Sequence, residues 1–226
     1  MPKGGLGRGL SSLIGSAAAE SGSNVEYIEV SINRIEPNPH QPRTDFSEER
    51  IDELARSIKK DGLLQPILVR PVDNGYQIIA GERRWQACKA LDYETMPVKI
   101  IVADEVEAQQ MALVENLQRD NLNAIEEARG YQRLIDLSGC MQKEIAEAVS
   151  KKPTTISNAL RLLDLPEEIQ EFIYQGQLSQ GHGRAILSIP DEEGRIKLAK
   201  KVAEEKLSVR ETESLARLYA TSGLER

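Results

Sequence analysis

The feature that most constrains this chain is a change in the period of its apolar residues near position 104. Before it, short runs alternate apolar and polar residues, as in "YIEVSINRIEPN", "PILVRPV", "YQIIA" and "MPVKIIVA". A period of two puts successive side chains on opposite faces of a strand. After it, apolar residues recur at three and four, in "EVEAQQMALVENLQR", "NAIEEARGYQRLIDL", "MQKEIAEAVS", "TTISNALRLLDL" and the segments that follow. That is the spacing of helices with one buried stripe. The expected fold class is α+β: an α/β domain over residues 25–120, then an all-helical domain over 121–226. Residues 1–24, rich in Gly, Ser and Ala, read as a flexible tail.

Punctuation supports this division. "SEERIDELARSIKKDG" reads as a helix capped by Ser47 and closed by Gly62. Asp73-Asn74-Gly75 is a turn between two strands. Asn123 with Glu126, and Ser208 with Glu211, have the spacing of capping boxes. Aromatics are only 4% of the chain, so the cores are built from aliphatic residues.

The formal charge is −7. A protein that coats nucleic acid indiscriminately needs a broad cationic surface, so this balance excludes that role but leaves room for a local basic reading head. Cys88 and Cys140 form no CxxC or Cys/His cluster and read as small buried hydrophobes. No apolar run approaches a membrane span, and the tail is broken by Gly and Ser where a signal peptide needs a continuous apolar core. A cytoplasmic protein with no membrane partner is expected. Within the tail, Leu6, Leu10, Leu13 and Ile14 fall at helical spacing, compatible with either a disordered leader or a docking segment that orders on a partner.

"MQKEIAEAVSKKPTTISNALRLLDLP" has the pattern of a helix-turn-helix. Ala146 is small where two helices cross, and Ile145, Val149, Ile156, Leu160 and Leu163 are expected to form the buried face. The second helix, over about 154–163, would enter a major groove. Thr154, Thr155, Ser157, Asn158 and Arg161 lie on its polar side, where they could reach bases or phosphates. Lys151, Lys152 and Arg161 make the window locally basic. An ordinary helical hairpin is the alternative. The turn position usually held by Gly is Ser150, so a slightly different turn is expected. Downstream, "GQLSQGHGRAIL" sets His182 and Arg184 between glycines that would allow close backbone approach. The pair could meet DNA phosphate, or His182 could be a structural, hydrogen-bonded residue.

"YQIIAGERRWQACKA" raises a different question, because charges crowd the point where a strand turns into a helix. The first N–H groups of a helix lack internal partners, and its dipole favours anions there. Gly81 would let a ligand approach the backbone, and Arg83 and Arg84 would add bidentate donors. Surface arginines paired with Glu82 would explain the pattern as well. Glu115 beside Asn116 offers hard oxygen ligands suited to Mg²⁺. No Walker A sequence or GxGxxG is present.

Taken together, "NPHQPR", "AGERRWQA", "ENLQRDNLN", the helix-turn-helix and "GQLSQGHGRAIL" occur in the order typical of ParB, the bacterial chromosome-partitioning family. The resemblance runs from "GLGRGLSSLIG" to at least Leu187. It implies a ParB/sulfiredoxin-like α/β domain followed by a helical DNA-binding domain. It also implies recognition of a palindromic parS site, CTP binding with Mg²⁺, and weak CTPase activity stimulated by parS. A homodimer promoted by nucleotide or DNA would then close into a clamp that slides on non-specific DNA.

By the same resemblance, Gly81, Glu82, Arg83 and Arg84 hold the triphosphate, and Glu115, Asn116 and Arg119 supply metal and phosphate contacts. Gln41 and Arg43 lie by the nucleotide, with Gln41 and Glu115 as catalytic candidates. Leu6, Arg8 and Leu10 belong to a segment that docks on a ParA-type ATPase. The protein is expected to be nucleoid-associated.

Two departures stand out. Many relatives have Arg just before the recognition helix, where this chain has Pro153 after two lysines. The family also ends with a separate dimerisation domain, which a chain stopping at Arg226 is expected to lack. Such a chain would be monomeric or weakly dimeric without nucleotide or DNA. Other functions compatible with the motifs are a helix-turn-helix transcriptional regulator and a nucleoid-occlusion paralogue.

Overall fold

The computed structural model describes residues 27–38, 48–118 and 122–222. They fall into two compact units that divide between Asn116 and Leu117.

The first unit is built on a five-stranded mixed sheet: β1 (Ile28–Ser31), β2 (Ile35–Glu36), β3 (Ile67–Val72), β4 (Gly75–Ala80) and β5 (Thr95–Ile100), in the order β1-β5-β3-β4-β2. β1 runs antiparallel to β5, with Val30 opposite Met96, and β3 runs antiparallel to β4. The β3–β5 and β4–β2 pairs are parallel. Strict alternation decides which side each residue covers. Ile67, Val69, Ile78, Met96 and Val98 face a core shared with helix α1 (Glu48–Asp61) and helix α2 (Glu82–Ala90). Leu68 and Ile79 face the other way, against Ala108 and Met111 of helix α3 (Glu105–Leu117). The central strands are therefore covered on both faces, which explains why "PILVRPV" and "YQIIA" are so apolar.

Two details differ from the sequence reading. "YIEVSINRIEPN" is not one strand, because a 3-10 turn at Ile32–Arg34 separates β1 from β2. The turn preserves burial by sending Ile32 and Ile35 inward together with Val30. Gly62 closes α1 as expected, with a φ of +77° and its N–H donated to Ile58 O at 2.9 Å. Ser47 lies outside the described residues.

The second unit is all helical: α4 (Ala124–Ser138), α5 (Gln142–Ala148), α6 (Pro153–Leu160), α7 (Glu167–Tyr174), α8 (Gln180–Ile186), α9 (Glu192–Glu205) and α10 (Val209–Ser222). Asn123 caps α4 through its side chain, which accepts from Ile125 N at 2.9 Å, and Glu126 completes the box by accepting from Asn123 N at 3.2 Å. Ser208 and Glu211 bond reciprocally at the start of α10. The core runs from Ile125 through Leu162, Ile169, Ile173, Ile186 and Leu198 to Ala216. The architecture is thus α+β, a mixed-sheet unit followed by a helical one.

The second helix of the helix-turn-helix is shorter than its periodicity suggests. It ends at Leu160, and a 3-10 turn at Arg161–Asp164 follows. A 3-10 turn advances each residue by more angle than an α-helix, so Leu162, not Leu163, becomes fully buried. Ala159 takes the inward place expected for Leu160, which is half-buried.

Candidate functional site

The Gly81 turn comes from a packing demand and a backbone demand at one residue. β4 ends at Ala80, and Gly81 adopts φ +98° as it starts α2. A Cβ there would lie 2.8 Å from Ile67 Cγ2, so the turn sits directly on β3. The start of α2 carries no side-chain cap, Arg84 N and Trp85 N close onto Gly81 O at 2.9 and 3.2 Å, and the positive end of the helix dipole there favours an anion.

Arg84 is half-buried and is not paired with Glu82. Its Nη2 donates to Gln65 Oε1 at 2.7 Å and its Nη1 to Pro66 O at 3.2 Å. Two of its five donors therefore hold it to the entry of β3, and the rest remain for a ligand. Glu82 Oε1 accepts from Gln86 Nε2 at 3.3 Å, and Lys89 lies 4.9 Å from the Trp85 ring centre. Trp85 Nε1 and Gln86 Oε1 are buried with no hydrogen-bond partner among the described residues. Arg83 is half-buried on the same turn. Cys88, on the inner face of α2, is fully buried, and burial pushes its thiol pKa up, away from reactivity.

Glu115 is exposed and Asn116 half-buried on the last turn of α3. A helix C-terminus carries partial negative charge, which adds to the attraction of that carboxylate for a cation. No cluster of three His, Cys, Asp or Glu side chains occurs among the described residues. The donor set fits a Mg²⁺ ion that draws its other ligands from water and phosphate, not one caged by protein. Gln41, Arg43, Arg119, Leu6, Arg8 and Leu10 lie outside the described residues.

In the helical unit, α5 and α6 form the helix-turn-helix. Ile145, Ala146, Val149, Ile156 and Ala159 are buried between them and their neighbours. Ser150 adopts φ +55°, so the turn keeps the left-handed geometry that Gly would supply, and Lys151 N closes it on Ala146 O at 2.9 Å. The conformation costs a non-Gly residue energy. Ser150→Gly is expected to raise unfolding free energy by about 0.5–1 kcal/mol in denaturant titration.

Pro153 takes the first position of α6, where its missing N–H costs nothing. It thus starts the helix, with Lys151, Lys152 and Thr154 exposed around that end. Thr154, Asn158 and Arg161 are spaced along one face, opposite the buried Ile156 and Ala159. Thr155 is half-buried. Ser157 turns toward a cleft of about 550 Å³ that it shares with Leu160, Arg161, Gln132 and Met141, so it lies beside the outward face.

His182 has the structural role that was one of its two readings. As the third residue of α8, its Nδ1 accepts from Ser179 N at 3.1 Å while its own N–H reaches Ser179 Oγ at 3.4 Å. Its flanking glycines make room for neighbouring helices, which corrects the expectation of ligand approach. A Cβ on Gly183 would lie 2.8 Å from Leu162 Cδ2, and one on Gly181 would lie 2.9 Å from Val209 Cγ2. Arg184 is exposed.

Burial lowers the His182 pKa below its ordinary value, against a smaller opposing effect of the Leu207 backbone. Folding therefore favours neutral imidazole, and the unfolded chain binds the proton more readily. Stability from this group is complete above about pH 6.5 and is lost as pH falls below it. The helical unit should lose stability on acidification through that range, and His182→Gln should flatten this part of the pH–stability curve.

Comparison with known proteins follows the same division. The family model described as the ParB N-terminal domain matches residues 16–117, and that described as the ParB HTH domain matches residues 120–221. The chromosome-partitioning protein ParB of Myxococcus xanthus is 46% identical over 99% of this chain and 77% of its own length. The nucleoid occlusion protein of Shouchella clausii is 42% identical over 89% of this chain and 71% of its length. Among solved structures, the C-terminally truncated chromosome-partitioning protein ParB from Caulobacter crescentus, complexed to the centromeric parS site, is 40% identical. It covers 84% of this chain and 98% of that one, with a TM-score of 0.73.

Proposed function

The chain belongs to the ParB family, and from that premise we propose that it is a chromosome-partitioning protein that reads a palindromic parS site and is switched by CTP. The observation that carries the DNA-reading half is the outward face formed by exposed Thr154 and half-buried Asn158 of α6 and exposed Arg161 just after it, in a chain so like the parS-bound Caulobacter protein. Arg161 suits a bidentate contact with guanine, and Asn158 suits adenine. Lys151, Lys152 and Arg184 supply phosphate contacts that fix register without reading sequence. The net charge of −7 keeps binding dependent on this local cationic face.

The nucleotide half rests on the Gly81 turn. The uncapped amides of α2 and the guanidinium groups of Arg83 and Arg84 receive the triphosphate. Gln65 and Pro66 hold Arg84 in place beforehand, so little side-chain entropy is lost on binding. Glu115 and Asn116 would hold Mg²⁺, which would neutralise phosphate charge there. Gln41 and Glu115 are the candidates for orienting and activating the hydrolytic water, with Arg43 and Arg119 as further phosphate ligands.

CTP contacts that are stronger in a closed dimer than in an open one shift the population toward a clamp that can slide along DNA. Leu6, Arg8 and Leu10 dock on a ParA-type ATPase. The protein acts in the cytoplasm, on the nucleoid. The likeness to a nucleoid occlusion protein supports a second reading, in which this chain is a nucleoid-occlusion paralogue.

Fluorescence anisotropy with a parS duplex and a scrambled duplex at one salt concentration tests the DNA half. Binding to parS should be tighter by about a thousandfold or more. Equal affinity for the two would overturn the parS reading.

A further inference from the structure

The way the chain leaves α6 strands backbone carbonyls. The Arg161–Asp164 turn runs into Pro166, which has no N–H to donate, so the carbonyls at the end of the turn cannot be taken by a continuing helix. Side chains from other elements take three of them in succession. Gln170, on α7 and only 9% exposed, donates from Nε2 to Leu163 O at 3.2 Å and to Leu165 O at 2.8 Å. Both hydrogens of the amide are used. Its Oε1 accepts from Arg129 Nη2, on α4, at 3.3 Å. Between those two carbonyls, Asp164 O accepts from Arg195 Nη1, on α9, at 3.4 Å. Arg195 is itself fixed by Nε donating to Ile189 O at 2.7 Å. The backbone of α8 leans on the same turn, since a Cβ on Gly183 would reach Leu162 and Leu165.

α6 is eight residues long, so its direction is set by what holds its two ends. The Ser150 turn holds one end, and this three-carbonyl mount holds the other. We propose that Gln170, assisted by Arg195, is a positioning residue for DNA reading: it sets the angle at which the Thr154, Asn158 and Arg161 face meets the bases. The inference rests on the DNA-reading function proposed above. Base-edge hydrogen bonds demand tightly held geometry, whereas long lysines reach phosphates from many angles. Loosening the mount therefore costs discrimination between sequences more than it costs binding to DNA as such.

The test uses the full chain and two duplexes of equal length, parS and scrambled, over a range of salt. Gln170→Glu keeps the shape of the side chain and removes both donors. Its affinity for parS should fall about tenfold, the size of one lost base contact. Affinity for the scrambled duplex and the slope of log K against log salt should stay unchanged, because no phosphate contact is lost. A purely structural role would lower the folded fraction and scale both affinities equally, leaving their ratio where it was. That outcome overturns the inference. Arg195→Lys keeps the charge but not the geometry at Asp164 O, and it carries the same test if Gln170→Glu does not fold; a preserved ratio there also overturns it. Failure of the wild-type chain to prefer parS overturns the proposed function itself, and this inference with it.

Discussion

Arg84→Ala is expected to lower parS-stimulated CTP turnover by about a hundredfold, the usual effect of deleting one preorganised donor at a developing charge. Binding to parS without nucleotide should be unaffected, since α6 and its neighbours form a separate compact unit. Arg84 leaves the first turn of α2 and is gripped by Gln65 Oε1 and Pro66 O, so it is already oriented for the proposed phosphate contact. Removing it deletes charge and preorganisation together. The two lost hydrogen bonds would also lower stability by about 1–2 kcal/mol, so turnover must be measured on protein shown to be folded. Arg84→Lys should recover only part of the activity, because a lysine cannot span both anchors and a phosphate. Turnover and parS binding falling together would assign Arg84 to the fold and not to the phosphates.

Arg161→Ala should weaken parS binding by about 1–3 kcal/mol and relax preference at one base-pair position. Binding to scrambled DNA should change little. Arg161 stands where α6 passes into the 3-10 turn, exposed and in line with Thr154 and Asn158. Its guanidinium offers the fork that guanine O6 and N7 accept. The contrasting substitution is Lys151→Ala, which should weaken both duplexes alike and reduce the salt slope by about one. Anisotropy titrations of the two variants against single-position mutants of the palindrome separate base reading from phosphate contact. Equal weakening of both duplexes by Arg161→Ala would demote that arginine to a phosphate ligand.

Much of the fold was legible because period and punctuation are local signals. The switch near residue 104, the turn into Gly75, the closing Gly62 and the caps at Asn123 and Ser208 all act through neighbours within a few positions. The 3-10 turns at Ile32–Arg34 and Arg161–Asp164 were not legible, because they perturb helical or strand spacing by a fraction of a turn. The shift of burial from Leu163 to Leu162 follows directly from the second of them. At the site, Gly81 and its arginines announced themselves through charge at a strand–helix junction. Gln65, Gln170 and Arg195 did not, because the bonds of Gln65 to Arg84, Gln170 to Arg129 and Arg195 to Asp164 O join residues far apart in the chain and leave no mark in local pattern. The glycines of "GHGRA" show the opposite failure: they suggested ligand approach, whereas the space they leave is filled by Leu162, Ile173 and Val209.

The central claim is that one anion site governs the grip on DNA. The direct measurement is CTP turnover by the wild-type chain at millimolar Mg²⁺, with a parS duplex, with a scrambled duplex and with no DNA. The account predicts slow turnover that rises only with parS. Absence of CTP binding under those conditions, or turnover indifferent to parS, would contradict it.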